Sequence, residues 1–403
     1  MIAKDGRDDW KGVMRVAIFT HPGDTHAHAV AWGLRSRGCE CDLLFLSDLP
    51  QKAVVTIDPA MPADVRFEGD QFSATLSDYD RFWLRKPYYP VLPPDLHAAD
   101  RSIAQLYWEF TTDSLLRSLG QSGAFCINPP IATKASVLKA HHLTLASRAG
   151  LQIPRTRITN CGRSARQFIE ANREIGANTI TKGMELSVWR FEEGGFAVFS
   201  TVRVVEDDVD DASLKLAPCI FQAEETKLAE ARVTVMGRTL FCARLDSQRI
   251  PGAELDFRHA PDWNDLGCEP VEPPANVREA ILAFQDLAGL NFGTMDFIIN
   301  RQGEWVFLET NPLGQFLWVE DAHPGTPLLD AFVHFVMSGS DQFLYDGPKD
   351  DRIRMQDYKK SLSDERKRAI ATEKDRHVEV TFTGALDQPL ANGLGAERPG
   401  HLS

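Results

Sequence analysis

The 403-residue chain contains no run of about 18 consecutive apolar residues, which excludes a membrane-spanning helix. Its first residues, MIAKDGRDDWKG, are polar and acidic and lack the apolar core of a secretory signal, so a cytoplasmic location is expected. No Gly-x4-Gly-Lys-Ser/Thr occurs, which disfavours a P-loop NTPase, and the glycine fingerprint of dinucleotide-binding folds is missing too. The seven cysteines (Cys39, Cys41, Cys126, Cys161, Cys219, Cys242 and Cys268) form no Cys-x2-Cys pair and no zinc spacing with histidine. They are expected to be idle thiols in a reducing compartment. Basic residues are in deficit, 44 against 57 acidic ones, and the net charge of −13 argues against a general nucleic-acid binder. No internal repeat is visible.

What remains is an ordinary globular composition, 43% hydrophobic and 25% charged, in a chain long enough for two or three domains. MRVAIFT (Met14–Thr20) reads as a buried strand, followed by a helix with Ala27, Val30, Ala31 and Leu34 at helical spacing. Asp24 or Thr25 can cap that helix and Gly38 can end it, and CDLLFL then supplies a second strand. This is a Rossmann-like β-α-β opening without the dinucleotide glycines. His21, His26 and His28 cluster at the helix start but read as surface histidines. Arg85 and Lys86 stand beside Trp83, Tyr88 and Tyr89, a group that either packs stems against rings or holds an anionic peptide segment. A long helix follows with Ile103, Leu106, Tyr107 and Phe110 on one apolar stripe, and the first domain is expected to close near Asn128.

Pro129-Pro130 introduces a helical stretch in which Lys139 lies beside Leu138, His142, Leu145 and Ala149. Arg155 to Gln222 reads as a small α/β domain, with Lys182 ending one of its strands. Beyond Ser338 the character changes: Lys349–Arg376 holds ten basic and seven acidic residues with few apolar ones. An isolated strand over His377–Gly384 and a disordered end from Ala391 are expected there.

The most informative stretch is Asn291–Glu320, NFGTMDFIINRQGEWVFLETNPLGQFLWVE. Two β-rich runs flank Asn-Arg-Gln-Gly, the signature of a hairpin. Alternation puts Trp305, Phe307, Glu309 and Asn311 on one face of the second strand. A two-residue turn would set Asp296 opposite Phe307 and diagonal to Glu309, on that same face. Two carboxylates and an amide would then share one space, as donors to a hard cation or as a solvated polar edge. A bulge would change the parity.

Taken in order, these segments resemble the ATP-grasp ligases, and among them the microviridin-type ribosomal-peptide maturases, or graspetide synthetases. The resemblance runs from about Met14 to Ser338. It rests on the W-x-R-K-P element (Trp83–Pro87), the Ile-Asn-Pro-Pro segment before Lys139, and AGLQIPRTRITN. P-x-I-F-Q (Pro218–Gln222), E-x-R-V-T-V-x-G (Glu230–Gly237) and F-L-E-x-N-P-x-G-Q-F-x-W-x-E (Phe307–Glu320) complete it. It implies an α/β ATP-grasp fold. A Rossmann-like pre-ATP-grasp domain would cover 1–128 and a linker helix with a central lid domain 129–222. A C-terminal antiparallel-sheet domain carrying the metal site would cover 223–340, and a charged, partly disordered tail 341–403.

By the same resemblance, Lys139 and Lys182 would contact ATP phosphates, Gln222 and Glu224 would belong to the adenine-reading hinge, and Glu230 would lie near the ribose. Ala223-Glu224-Glu225 departs from the family's usual hinge. Arg232 would face the γ-phosphate and the acyl phosphate, and Asp296, Glu309 and Asn311 would bind Mg²⁺. The implied reaction activates Asp or Glu side chains of a ribosomal precursor peptide as acyl phosphates, and Ser, Thr or Lys side chains then close macrocyclic esters or amides. The resemblance allows a homodimer. Two other readings stand beside it: a ligase adding a free amino acid to a peptide or protein end, and a catalytically silent ATP-binding partner protein.

Overall fold

The structure, a computed structural model, describes residues 12–380 apart from 61–63, 70–71, 185–187, 191–195, 199–200, 258–262, 348–349 and 379. Most of the expected strand over 377–384, and the end from Ala391, lie outside the described residues. The chain divides into two compact units, one of Met1–Pro130 with Pro327–Val380 and one built on Ile131–Thr326.

In the first unit the strands are β1 (Arg15–Phe19), β2 (Glu40–Leu44), β3 (Ala53–Thr56), β4 (Arg66–Gly69), β5 (Phe72–Thr75), β6 (Arg81–Leu84) and β7 (Phe125–Ile127). A parallel sheet runs in the order β2-β1-β6-β7, and β3-β4-β5 form a separate antiparallel sheet. Val16, Ala17, Ile18 and Phe19 are all fully buried, as a central parallel strand covered on both faces requires. Asp24 caps the helix Thr25–Ser36 by accepting from the His26 and Ala27 amides at 2.9 and 3.3 Å. Gly38, at φ +82°, stops the chain after it.

Three expectations change here, and the tail adds two helices that the sequence did not suggest. Ile103, Leu106, Tyr107 and Phe110 lie 48–67% exposed on the helix Ala98–Leu119, which is anchored instead by Thr112, Leu115, Leu116 and Leu119 nearer its C-terminal end. His21 and His26 are half-buried rather than on the surface, and burial holds them down to about 4 and about 3. The helix Leu328–Ser338 belongs to the first unit rather than to the C-terminal domain. It is apolar nearly all round and packs Phe332 at a tilt against Trp83, with ring centroids 4.6 Å apart. Lastly, the charged tail is helical over Met355–Ser361 and Asp364–Asp375. Ile353, Met355 and Tyr358 are buried and anchor it in the first unit.

The basic-aromatic group takes the packing form: Trp83 and Arg85 are both about 1% exposed, and Arg85 Nε lies 3.2 Å from Asp24 Oδ2. Among the described residues no disulfide forms, Cys161 is the exposed cysteine, and burial pushes the Cys41, Cys126 and Cys242 thiols up to about 12.

In the second unit the strands are β8 (Thr156–Thr159), β9 (Thr179–Lys182), β10 (Val188–Arg190), β11 (Phe196–Val198), β12 (Val202–Val204), β13 (Cys219–Ala223), β14 (Lys227–Met236), β15 (Thr239–Leu245), β16 (Glu269–Pro270), β17 (Phe292–Asn300) and β18 (Trp305–Asn311). An antiparallel sheet β12-β9-β13-β8 carries the helix Gly162–Glu174 over a core of Ala165, Phe168, Ile169, Leu214 and Phe221. β10 and β11 pair with each other. The larger sheet runs β16-β15-β14-β17-β18. One of its faces is covered by the helices Lys139–Arg148 and Ala275–Ala288, whose Leu143, Ala146, Ile281 and Phe284 meet Val233, Met295, Phe297 and Phe307. Strand alternation sends Ala231, Val233 and Val235 into that core and turns Glu230, Arg232 and Thr234 to the opposite face.

Candidate active site

The hairpin β17–β18 forms with a register other than the one its sequence suggests. The turn is looser than two residues: Asn300 N–H donates to Glu304 O at 3.0 Å, Gly303 takes φ +82°, and Ile299 pairs with Trp305. A β-bulge between Asp296 and Phe297 then leaves Leu308 as the extra residue. The bulge resets the alternation. Trp305 and Phe307 point into the core, whereas Glu309 and Asn311 fall on the opposite face. Asp296 is therefore directly opposite Glu309, not diagonal to it, and Phe307 pairs with Phe297.

Arg232 on β14 is the direct partner of Asp296 on β17, which is the direct partner of Glu309 on β18. Three charged residues thus form one row across three adjacent strands. Arg232 Nη1 donates to Asp296 Oδ1 at 2.6 Å, and its Nη2 donates to the Gln315 carbonyl at 3.1 Å. Lys139, at the start of its helix, forms an ion pair with Glu309. Asn311 occupies the next row on this face, paired with Thr294. It is exposed, and its Oδ1 accepts from Leu313 N–H at 3.0 Å, which holds the Asn-Pro-Leu-Gly turn. That turn needs Gly314, because a Cβ there would lie 1.9 Å from Thr294 Oγ1.

Glu230 lies on the same face, buried, with Oε1 accepting from Lys227 Nζ and Ser247 Oγ, both at 2.9 Å. Burial raises the pKa of its carboxyl, and the Lys227 charge and these two hydrogen bonds oppose that rise. Gln222 is buried, and its Nε2 donates to Thr156 Oγ1 at 2.8 Å, tying β13 to β8. Glu224 accepts from Arg203 Nε and Nη2, both at 2.7 Å, and from Asn178 Nδ2 at 3.1 Å. The Arg203 hydrogen bonds hold its pKa below the usual carboxylate range. The side chains of Gln222 and Glu224 are thus engaged in fixing strands.

Lys182 ends β9 and is half-buried. Its charge and that of Lys139 both act on His142, which burial and then Lys139 lower to about 4. His142 is a neighbour of Lys139 whose coupling to the lysine charge sequence reasoning missed. It is neutral at pH 7, buried one turn after Lys139, with Nδ1 3.2 Å from Ser136 O and its ring edge-on to Phe307. Its i+3 spacing from Lys139 was the available signal.

Among the described residues no group of three or more His, Cys, Asp or Glu side chains forms a self-sufficient metal site. The donor set of Asp296, Glu309 and Asn311 is two carboxylates and an amide. That suits a hard cation which takes its other oxygens from phosphate and water, so the residues fit Mg²⁺ arriving with a nucleotide.

The mixed α/β architecture is similar to that of solved ATP-grasp ligases. The RiPP-associated ATP-grasp ligase of Chryseobacterium gregarium, solved with ADP and a leader and core peptide, superposes at a TM-score of 0.72. It is 23% identical over 85% of this chain and 100% of that one. The macrocyclase MdnB of Microcystis aeruginosa MRC superposes at 0.67, with 25% identity over 80% of this chain and 99% of that one. The ATP-grasp ligase PsnB, solved with a phosphomimetic variant of its minimal precursor, Mg and ADP, superposes at 0.62, with 23% identity over 80% and 98%. No protein-family model and no curated protein matches the chain. Its fold is similar to that of these ATP-grasp ligases.

Proposed function

We propose that the protein is an ADP-forming ATP-grasp ligase that activates Asp or Glu side chains of a ribosomally made precursor peptide and closes them onto Ser, Thr or Lys side chains as macrocyclic esters or amides. The observation that carries this reading is the row Arg232–Asp296–Glu309 with Lys139 at its end. It sets two cations for phosphate beside two carboxylates for metal. The fold's likeness to ligases solved with ADP, Mg and peptide supports it.

In this reading the pre-ATP-grasp domain lies within the first unit, and the sheet β12-β9-β13-β8 with its helix is the lid. The sheet β16-β15-β14-β17-β18 is the floor of the nucleotide site. Mg²⁺, held by Asp296, Glu309 and Asn311, would neutralise charge on the β- and γ-phosphates of ATP. Lys139 and Lys182 contact the phosphates as compact ammonium groups. Arg232, fixed by Gln315 O, faces the phosphoryl group as it passes to the peptide carboxylate, where a held cation stabilises developing charge. The hinge backbone around Glu224 receives the adenine, and Glu230 lies towards the ribose. The lid excludes water from the acyl phosphate, so the peptide's own hydroxyl or amine is the group that displaces phosphate. Positioning and charge account for the catalysis, and no side chain is asked to act as a nucleophile.

The test is ADP release from Mg-ATP with and without candidate precursor peptides, with products read by mass. Loss of one water per ring supports the macrocyclase. A peptide that instead gains a free amino acid overturns that reading in favour of an end-adding ligase, and absence of nucleotide binding overturns both.

A further inference from the structure

Each carboxylate of the proposed metal site is paired with a cation of the proposed phosphate site: Lys139 with Glu309, and Arg232 with Asp296 at 2.6 Å. The four side chains are between 10% and 29% exposed, so the pairs are partly shielded from water yet open to exchange. His142, neutral beside Lys139, adds no charge at pH 7. The four groups sum to zero.

From this we infer that Glu309 and Asp296 hold Lys139 and Arg232 in check, so that the site discriminates against nucleotide that arrives without its metal. The inference rests on the ligase reading above. A triphosphate entering alone must pull Lys139 and Arg232 from their partners and strips these two cations from the carboxylates that lie beside its own negative charge. A divalent cation entering alone leaves two positive groups uncompensated. When both enter, every charge changes partner and none is left bare, since phosphate takes the cations and metal takes the carboxylates. Binding of the two is therefore coupled, and by linkage each tightens the other by the same factor.

The counterintuitive consequence is that removing a metal ligand strengthens metal-free nucleotide binding. Glu309→Gln keeps the side chain's size, removes its charge and frees Lys139. Titration calorimetry of the full chain with ADP, in EDTA and in excess Mg²⁺, measures this directly. Wild type should bind ADP much more weakly in EDTA than in Mg²⁺. E309Q should bind metal-free ADP about tenfold more tightly than wild type, the change expected when one unit of opposing charge leaves a partly shielded pair, and its response to Mg²⁺ should shrink. D296N should move the same way through Arg232. In the double variant K139M/E309Q the gain should vanish. Metal-free binding by E309Q and D296N no tighter than wild type overturns the inference, as does a gain that persists without Lys139. If wild type binds ADP in neither condition, the ligase reading falls as well. Unchanged melting curves of the variants establish that both comparisons are made on folded protein.

Discussion

Asp330→Asn should destabilise the first unit, and the size and pH dependence of the loss can be worked from the contacts. Asp330 is fully buried, yet its carboxylate accepts from Tyr345 Oη at 2.7 Å, Ile353 N–H at 3.0 Å and Arg37 Nη2 at 3.3 Å, with His334 Nδ1 3.3 Å from Oδ2. Burial alone would raise its pKa. The hydrogen bonds from His334, the Ile353 amide and Tyr345 outweigh burial and hold it at about 2, against an ordinary 3.8. That difference corresponds to roughly 2–3 kcal/mol of stabilisation. It is fully present above pH 3.8 and is lost as pH falls towards 2. His334 is raised above its ordinary 6.5, chiefly by its hydrogen bond to the same carboxylate. Its share of this one interaction is present below 6.5 and fades as pH rises through the raised value.

The advantage of wild type over D330N should therefore peak between about pH 4 and 6.5 at roughly 3 kcal/mol, the cost of breaking a buried charged network from one side. Urea titrations of both proteins across that range measure it. Because the carboxylate also holds Ile353, trypsin should cut D330N faster at Arg352 and Arg354. A difference below about 0.5 kcal/mol, the scatter of an ordinary surface substitution, or one that is flat with pH, would refute the reasoning.

Other expectations follow from the second unit. E309Q and D296N should abolish ADP formation, checked by coupled assay, while their circular dichroism stays that of wild type. Arg203→Ala and Glu224→Ala should each weaken Mg-ADP binding by a similar factor, on the order of threefold for a partly exposed pair. Their double variant should be no worse than either single one. Phe284→Ala, which empties a fully buried position against Phe307, should cost about 3–5 kcal/mol in a thermal or urea melt. Gly314→Ala should impair turnover more than stability, since its Cβ would push the turn off Thr294.

The hairpin shows how far sequence reaches. Both strands and the turn between them were legible from β-rich runs and Asn-Arg-Gln-Gly, and so was the company of Asp296, Glu309 and Asn311. Their register was not, because a looser turn and a bulge are chosen by what the strand must pack against. Phe307 is drawn under Phe284 and Phe297, and local pattern carries no record of that pull. The stripe Ile103–Phe110 teaches the opposite lesson: its helical period was right and its burial was not, since periodicity marks a face without naming what covers it. In the tail, three buried side chains among many charges were too few to register as a pattern. The pairing of Arg232 with Asp296, 64 residues apart, left no signal in the sequence.

The extra residue at Leu308 divides β18 into two halves that answer to different masters. Before it, Trp305 and Phe307 serve the core; after it, Glu309 and Asn311 serve the site. In an unbulged strand all four would share one face, and a drift in hydrophobic packing would drag the proposed metal ligands with it. With the parity reset between them, the core half can be repacked by mutation while the ligand half keeps its aim. The site can therefore keep its chemistry while the protein around it changes in sequence.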